Sequence, residues 1–244
     1  MNRLVIDAGN SAVKMAVYNG SERKHFSIEA NLTLEKLQQV IQEFKPVSSI
    51  LSSVINLNDG VIAAFQQLPC HVVLNHLTSF PFTNLYGSPE NLGRDRLANA
   101  AGACSLFPSH NVLVIDVGTC LKFDFINEKA EYLGGSISPG LYMRYKALHH
   151  FTELLPLLEP VEKPPLTGNT THFSIHSGIW NGMLAEINGI ISNYEKDVLN
   201  VQLILTGGDV RFFLNHLKKA IFASPELTLK GLLSILQHNY PNDL

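Results

Sequence analysis

Hydrophobic and polar positions repeat one pattern twice along this chain. Residues 3–7 form an apolar run and residues 14–18 alternate between apolar and polar side chains, which is typical of two strands joined by a short turn. Asn19–Gly20, which follows the first pair, is a strong hairpin signal. The same pattern returns at residues 112–116 and 122–126. It therefore predicts two strand–turn–strand units of similar design.

Further elements follow each of these units. Apolar residues spaced three or four apart predict helices, whereas short runs rich in β-branched residues predict strands. Thr33 is expected to cap a helix that Pro46 stops. The other predicted strands are residues 24–28, 49–54, 71–74, 130–133 and 202–205; the other predicted helices are residues 59–68, 93–107, 141–155, 171–194, 210–220 and 229–237; residues 78–92 and 134–140 are predicted loops.

The two halves together predict a duplicated α/β fold. Each half opens with three strands that we expect to be antiparallel, and each continues with mixed helices and strands. We expect one domain in residues 1–108, a second in residues 109–244, and a cleft between them. Either hairpin alone is also explained by its turn residues, because Asp and Gly favour turns. The joint pattern is what supports a duplication.

Composition narrows the function classes. The chain has 244 residues, 45% of them hydrophobic and 16% charged, with a formal net charge of −3, which is typical of a protein with a packed core. The absence of a basic run argues against a nucleic-acid partner. Neither a signal peptide nor an apolar stretch of roughly 20 residues is present, so we expect a cytoplasmic protein without a membrane partner. Three widely spaced cysteines indicate reduced thiols and no zinc site.

The two hairpins carry the residue types that hold phosphate groups. Gly9 and Gly118 leave room for a ligand near the backbone, and exposed N–H groups in such a turn bind phosphate. Asp7 and Asp116 stand at strand ends, where a carboxylate can hold a hydrated metal ion against phosphate oxygens. A later strand ends in Gly207–Gly208. The lack of side chains there would leave space for an adenosine or its phosphates. The sequence contains neither a Walker motif nor a Rossmann motif, and the combination resembles the actin-like ATPase superfamily.

A second cluster of candidate residues begins a predicted helix after a loop. Gly93, Arg94, Asp95 and Arg96 stand there in sequence. An Asp at a helix N-terminus is stabilised by the helix dipole alone, so a plain capping role is one interpretation. Two arginines beside one Asp also suit a general base next to an anion-binding group, because the planar guanidinium pairs with a carboxylate through two bonds.

At this level of detail the chain resembles the type III pantothenate kinases. The motifs of that family occur in order along nearly the whole chain. They are D-x-G-N-[ST]-x-x-K at residues 7–14, Tyr86 followed by G-x-D-R at 93–96, D-x-G-T at 116–119, G-G-x-I-x-P-G at 134–140, a helix start around Thr171 with Ser177–Gly178, and a strand followed by Gly207–Gly208.

The resemblance implies a fold, an activity and a set of site residues. It implies two ribonuclease-H-like domains of the actin-like ATPase type, a homodimer with its active site at the interface, and ATP-dependent phosphorylation of pantothenate to 4′-phosphopantothenate, the first step of coenzyme A biosynthesis. Asp95 would be the general base. The residues implied to bind ATP phosphate and Mg²⁺ are Asp7, Ala8, Gly9, Asn10, Ser11, Ala12, Val13, Lys14 and, for ATP, Thr119. Asp7 is the implied Mg²⁺ ligand.

The same resemblance implies how the second substrate and a further ion are bound. Thr171 would reach pantothenate from the partner subunit, and Asp116 would bind a monovalent cation, K⁺ or NH₄⁺. The residues implied to bind pantothenate from the same subunit are Tyr86, Gly93, Arg94, Asp95 and Arg96.

The chain departs from the family after D-x-G-T. Cys120, Leu121 and Lys122 stand where the family usually has Ala and two hydroxyl residues. Cys120 is expected to pack as a small buried side chain. Lys122 either brings a cation to the phosphate hairpin or points to solvent. If its ammonium enters the site, it would replace or weaken the need for a monovalent cation at Asp116.

The predicted helix at residues 171–194 carries two histidines and an apolar stripe. His172 and His176 lie one helical turn apart, but no acidic partner at ligand spacing follows, so we expect a surface or interface role. The apolar stripe from Trp180 to Ile191 is expected to be core or a dimer seam.

Two other functions are compatible with the sequence, a non-catalytic accessory or regulatory paralogue and a related small-molecule kinase. The presence of Asp7, Asp95, Arg96 and Asp116 favours catalysis.

Overall fold

The computed structural model describes residues 1–217, 219 and 221–242. These residues form two compact units, which are described separately. Unit 1 comprises Met1–Pro108, Ala130–Tyr132 and the residues after Pro225, and unit 2 comprises Ser109–Lys129 and Leu133–Pro225.

Unit 1 is built on a five-stranded sheet with the order β3-β2-β1-β4-β5. β1 is antiparallel to β2, and β2 to β3, whereas β4 runs parallel to β1 and β5 parallel to β4. The strands are β1 (Asn2–Ala8), β2 (Val13–Asn19), β3 (Glu22–Glu29), β4 (Ser48–Ser53) and β5 (His71–Val73), and the helices are α1 (Leu34–Phe44), α2 (Asp59–Gln66), α3 (Arg94–Leu106) and α6 (Leu227–Asn239).

Side-chain alternation along β1 explains why unit 1 has helices on both sides of its sheet. Leu4 and Ile6 join a core with residues of α1 and α2, such as Leu37 and Phe65. Val5 points to the opposite face and is also fully buried. Thr33 accepts a hydrogen bond from the Lys36 backbone N–H at 3.2 Å, which confirms the predicted cap of α1.

Helix α6 packs against α3 in unit 1, although the sequence analysis put all residues from 109 onward in the second domain. Two glycines allow the close approach of the two helices. A side-chain carbon on Gly231 would lie 1.7 Å from the Ala98 carbonyl oxygen, and one on Gly102 would lie 2.7 Å from the Leu227 carbonyl oxygen. The apolar pattern of α6 predicts a buried face but does not say which half of the chain covers it.

Unit 2 repeats the strand order of unit 1, position for position. Its strands lie in the order β11-β10-β7-β8-β9, in which β7 and β8 are antiparallel and β10 runs parallel to both β7 and β11. This repetition supports the predicted duplication of an α/β unit. The elements are β7 (Val112–Val117), β8 (Cys120–Ile126), β9 (Glu131–Pro139), α4 (Leu141–His150), α5 (Thr171–Asp197), β10 (Gln202–Thr206) and β11 (Phe222–Ala223).

The largest difference from the predicted elements lies in β9, which continues to Pro139 through residues that we expected to form a loop. Gly135 is the physical reason. A side-chain carbon there would lie 1.7 Å from the Phe123 carbonyl oxygen of β8, so this glycine serves a close approach of backbones and not a turn. In unit 1, Glu131 and Tyr132 at the start of β9 pair in parallel with a short strand, β6 (Thr83–Asn84), inside another predicted loop.

Two predicted helices near the C-terminal half also differ. The helix predicted for residues 141–155 ends at His150. In place of a helix at 210–220, the structure has 3₁₀ turns at Val210–Phe212 and Leu214–His216, and residues 218 and 220 of that prediction lie outside the described residues. Within the part of the chain that the structure describes, no helix has both the length and the apolar character needed to cross a bilayer.

Candidate active-site elements

The first D-x-G hairpin forms a tight turn with a polar tip. The Gly9 N–H donates a hydrogen bond to the Ala12 carbonyl oxygen at 3.1 Å, which closes the turn between β1 and β2. Asn10 and Ser11 are exposed at the tip. Asp7 of β1 lies opposite Lys14 of β2 in the antiparallel register. The hairpin thus offers donors at its tip, with a carboxylate and an ammonium on neighbouring strands below.

The end of β4 lies between this hairpin and the start of α3. The Val54 N–H donates a hydrogen bond to the Ala8 carbonyl oxygen at 3.0 Å. The Arg94 guanidinium donates a hydrogen bond to the Ser53 carbonyl oxygen. The structure of unit 1 therefore connects two motifs that are separated by about eighty residues in sequence, the predicted phosphate hairpin and the G-x-D-R helix start.

Asp95 is held in the first turn of α3 by the backbone. Its Oδ1 accepts a hydrogen bond from the Arg96 N–H at 2.9 Å. A side-chain carbon on Gly93 would lie 2.7 Å from the same oxygen, so the position before the helix must be small for the carboxylate to adopt this place. The helix dipole favours a negative charge there. Asp95 as a residue is half-buried.

Arg96 is enclosed by two tyrosine rings. Its guanidinium carbon lies 5.6 Å from the centre of the Tyr86 ring and 6.0 Å from that of the Tyr132 ring, and the side chain is almost fully buried. These distances are typical of cation–π contacts. Tyr86 and Arg96, predicted to bind the same substrate, therefore meet in unit 1. Tyr132 is a contact that the sequence analysis missed, because nothing local to it marks this neighbour.

The second D-x-G hairpin, in unit 2, contains a buried ion pair. Asp116 of β7 lies opposite Lys122 of β8 in the antiparallel register. The Lys122 Nζ donates a hydrogen bond to the Asp116 Oδ2 at 2.8 Å, and the side chains are only 13% and 12% exposed. The Lys122 side chain therefore points to the hairpin carboxylate and not to solvent.

Two other glycine motifs of unit 2 lie against this hairpin, one at Gly140 and one at Gly207–Gly208. The Gly118 N–H donates to the Cys120 carbonyl oxygen at 3.1 Å and leaves Thr119 exposed at the tip. The Gly140 N–H donates to the Thr119 carbonyl oxygen at 3.2 Å. A side-chain carbon on Gly140 would lie 2.2 Å from the Gly118 carbonyl oxygen, so the glycine before α4 lets that helix start against the turn. Cys120 is half-buried, less than we expected.

The strand that ends in Gly207–Gly208 also lies against Asp116. Gly207 has a φ of +103°, and a side-chain carbon there would lie 2.6 Å from Asp116 Oδ1. The Asp209 N–H donates to the Val117 carbonyl oxygen at 2.9 Å. The pKa of Asp209 is raised, chiefly by burial and further by the negative charge of Asp116, while Arg211 opposes the shift. Asp209 is thus a second carboxyl near the hairpin, and its electrostatic contact with Asp116 is not visible in the sequence.

Helix α5 places its first residue in solvent and its apolar stripe in the core. Thr171 is exposed, directly after the capping Thr170, whose side chain accepts a hydrogen bond from the Phe173 N–H at 3.2 Å. Trp180, Met183 and Ile187 are buried in the core of unit 2, so the core interpretation of the stripe is confirmed.

His176 is part of that core as well. Its Nδ1 lies 2.8 Å from the Tyr145 hydroxyl, and the pKa of the imidazole is lowered by burial and, to a smaller extent, by His172. The surface role expected for His176 is therefore wrong, because the first turns of α5 bring this residue against α4. The interface role stays a prediction.

The hairpins differ in how well they suit the implied ions. Among the described residues, no group of three or more His, Cys, Asp or Glu side chains is placed to hold a metal. Mg²⁺ bound with a nucleotide commonly needs only one or two carboxylates, since phosphates and waters complete its shell, and half-buried Asp7 beside a polar turn fits that role. Asp116 fits a free monovalent cation poorly, because Lys122 already contacts its carboxylate.

Comparison with known proteins gives consistent results. A sequence model of the type III pantothenate kinase family matches residues 3–193. A type III pantothenate kinase from Cytophaga hutchinsonii is 43% identical over 236 residues, which cover 97% of this chain and 99% of that protein.

Solved structures extend the likeness to the fold. A conserved putative Baf family transcriptional activator from Campylobacter jejuni matches with a TM-score of 0.61 at 24% identity, covering 98% of this chain and 99% of that one. A putative 2-dehydro-3-deoxygalactonokinase from Sinorhizobium meliloti matches with a TM-score of 0.57 at 13% identity, over 98% of this chain and 99% of that one. At these identities the likeness concerns the fold alone, and it supports the predicted α/β class.

Proposed function

The chain belongs to the type III pantothenate kinase family, and on that premise we propose that Asp95 is the general base in the ATP-dependent phosphorylation of pantothenate. The reaction gives 4′-phosphopantothenate and ADP, and it is the first step of coenzyme A biosynthesis. The observation that carries the assignment of the base is the geometry of the α3 start. There a half-buried carboxylate is fixed by the backbone beside an arginine that two tyrosines enclose.

Asp95 has the chemistry that the acceptor hydroxyl needs. Phosphoryl transfer depends mainly on positioning and on neutralising charge, so the base has one task, to accept the proton of the attacking hydroxyl. The helix dipole favours a negative charge in the first helical turn, where Asp95 lies. A positioned base of this kind contributes roughly 10²–10⁴ in rate.

The surrounding residues are proposed to bind pantothenate. Its carboxylate is matched by a planar guanidinium, and Arg96 is held in a fixed orientation by Tyr86 and Tyr132. Arg94 is exposed and adds positive charge at the same helix start. Gly93 leaves space beside the Asp95 carboxylate. These contacts favour an anionic substrate with a hydroxyl group that reaches Asp95.

The first hairpin is proposed to bind the phosphates of ATP. Its Gly9 turn and exposed Asn10 and Ser11 supply donors, and Lys14 supplies positive charge next to Asp7. Thr119 at the tip of the second hairpin is proposed to contact ATP as well. Asp7 would hold Mg²⁺, which supplies charge neutralisation on the phosphates when it is bound.

A homodimer is proposed from the surface of unit 2. An apolar groove of about 530 Å³ lies between α4 and α5, with Phe151 and Ile175 among its lining residues. Exposed large hydrophobic side chains are concentrated in this part of the chain: Tyr142, Met143, Phe151, Leu154, Leu157, Val161, Leu166 and Phe173. Such a patch is typical of a protein–protein contact, and a second copy of this chain is the proposed occupant. Thr171, exposed at the same helix start, is proposed to reach the partner's pantothenate.

The test of the function is product formation. The protein is incubated with ATP, MgCl₂, KCl and pantothenate, and the products are identified by mass spectrometry. We expect 4′-phosphopantothenate and ADP in equal amounts. A protein that binds ATP and pantothenate but makes no product would favour the accessory role. Phosphorylation of another small alcohol in place of pantothenate would favour the related kinase.

We propose the cytoplasm as the location of this protein, in line with its three free cysteines.

A further inference from the structure

The resemblance assigns a free monovalent cation to Asp116, but the structure places a cation of the chain itself at that carboxylate. Lys122 Nζ lies 2.8 Å from Asp116 Oδ2. This is the length of a charge-assisted hydrogen bond between an ammonium and a carboxylate. An ammonium ion is one of the two ions that the family resemblance implies, and the lysine head group is an alkylated form of it.

Strand pairing fixes the position of this ammonium. Asp116 and Lys122 are directly opposite each other in the β7–β8 ladder, so their side chains leave the sheet on the same face. The neighbouring pair, Val117 and Leu121, is fully buried and anchors the ladder next to them. Lys122 therefore reaches Asp116 from a rigid strand and not from a loop.

Burial favours keeping this pair together. Both side chains are close to nine-tenths buried, at 13% and 12% exposed, so separating them would leave two charges poorly solvated. A free cation that binds Asp116 must displace the ammonium and also lose its own translational freedom, whereas the tethered lysine has no such loss. A free K⁺ or NH₄⁺ is thus at a disadvantage at this carboxylate.

The other charges near the hairpin are consistent with an internal cation. Asp209 feels the negative charge of Asp116, which contributes to its raised pKa, and Arg211 acts on Asp209 in the opposite direction. Two basic side chains, Lys122 and Arg211, thus accompany two carboxyl groups, Asp116 and Asp209. Gly207 leaves room for the Asp116 carboxylate but not for a side chain beside it.

We propose that Lys122 supplies the positive charge at Asp116 that a free monovalent cation would otherwise provide, so that this kinase works without added K⁺ or NH₄⁺. The proposal rests on the proposed function for its catalytic consequence. Its structural part, that the carboxylate is closed to free cations while Lys122 is present, stands independently of the reaction.

The first experiment compares turnover in potassium-free buffer with turnover after KCl or NH₄Cl is added, with choline chloride holding the ionic strength constant. The proteins are the wild type, Lys122→Thr and Lys219→Thr, which removes a lysine that pairs with Glu195 elsewhere in unit 2. We expect added KCl or NH₄Cl to change the turnover of the wild type and of Lys219→Thr by less than about twofold. A twofold change in rate corresponds to roughly 0.4 kcal/mol in activation free energy. Lys122→Thr should lose turnover without K⁺ and regain it with K⁺ or NH₄⁺. Equal potassium dependence in the wild type and Lys122→Thr would overturn the proposal.

A second readout does not depend on catalysis. Thermal unfolding is measured for the same proteins with KCl against choline chloride, and Lys122→Gln is included in case the threonine variant folds poorly. We expect K⁺ to stabilise the Lys122 variants and not the wild type, by linkage of ion binding to folding. Variants that K⁺ neither activates nor stabilises would contradict the proposal. If no salt condition yields 4′-phosphopantothenate from the wild type, the proposed function fails, while the unfolding data still decide the cation question.

Discussion

Arg96 and Asp95 are adjacent in sequence, and the structure gives them different surroundings. The Asp95 carboxylate is half-buried at the helix start, whereas Arg96 is almost fully enclosed by Tyr86 and Tyr132. The first arrangement suits a group that exchanges a proton, and the second suits a group that must keep its orientation. This difference supports separate roles for the two residues in proton transfer and in binding.

Replacing Arg96 by lysine should weaken pantothenate binding more than ATP binding. Lysine keeps the charge but lacks the planar fork that two tyrosine rings orient. We expect the KM for pantothenate to rise roughly 10- to 100-fold, since a hydrogen bond to a charged group contributes about 1.5–3 kcal/mol. Steady-state kinetics with each substrate varied in turn measures the effect. Arg23→Lys is the control, because Arg23 also lies over a ring, 4.6 Å from the centre of Phe26. A similar rise in both variants would speak against a binding role for Arg96.

Sequence reasoning at the residue scale works where neighbours are close in the chain. The turn at Gly9 and the cap at Thr33 follow from local rules, and both are present. Tyr132 and Asp209 were missed because their partners, Arg96 and Asp116, come from distant parts of the sequence. The orientation of Lys122 stayed open for a related reason: alternation along β8 does not say which face Asp116 occupies.

At the scale of elements, strands and long helices were predicted well and glycine-bearing segments poorly. Helix α5 begins at Thr171 as expected, because its caps and apolar period agree. Gly134–Gly135 was interpreted as a loop, although β9 runs through it. Glycine is used there, and between α3 and α6, for close approach of backbones, which local propensity cannot distinguish from a turn.

The contact between α3 and α6 should be sensitive to a single methyl group. Gly231→Ala places a carbon 1.7 Å from the Ala98 carbonyl oxygen, so the helices must move apart. We expect a loss of about 1–3 kcal/mol in the free energy of unfolding, the usual range for overpacking, measured by urea denaturation. Gly189→Ala is the matched control in α5, where an added carbon meets nothing within 4 Å and should stabilise by about 0.4–1 kcal/mol. Equal effects of the two substitutions would rule out the close packing at Gly231.

At the scale of the whole molecule, the duplicated fold followed from the repeated hairpin pattern. Five strands of the second sheet repeat the strand order of the first, which a repeat of similar segments predicts. The assignment of α6 to unit 1 was not predictable, because the chain returns to its first unit after completing the second. A domain boundary near residue 108 and a cleft between the domains stay predictions.

The proposed dimer also belongs to the scale of the whole molecule, and the substitution of one surface side chain should test it. Phe151 is 82% exposed and lines the groove between α4 and α5, so Phe151→Asp should desolvate a charge in the proposed contact. We expect the mass in sedimentation equilibrium to fall from two chains to one at the same concentration, with a loss of turnover. Leu77→Asp is the control, since Leu77 is equally exposed in unit 1. An unchanged dimer in the Phe151 variant would place the contact on another surface.

The central claim, a kinase in which Asp95 accepts the proton of pantothenate, is tested most directly by the turnover of Asp95→Asn. The substitution preserves shape and removes the base, and Asp59→Asn makes the same change in the first turn of α2. We predict that 4′-phosphopantothenate formation by Asp95→Asn falls by roughly 10²- to 10⁴-fold at saturating ATP and pantothenate, while Asp59→Asn keeps wild-type turnover. Wild-type turnover in Asp95→Asn would contradict the account.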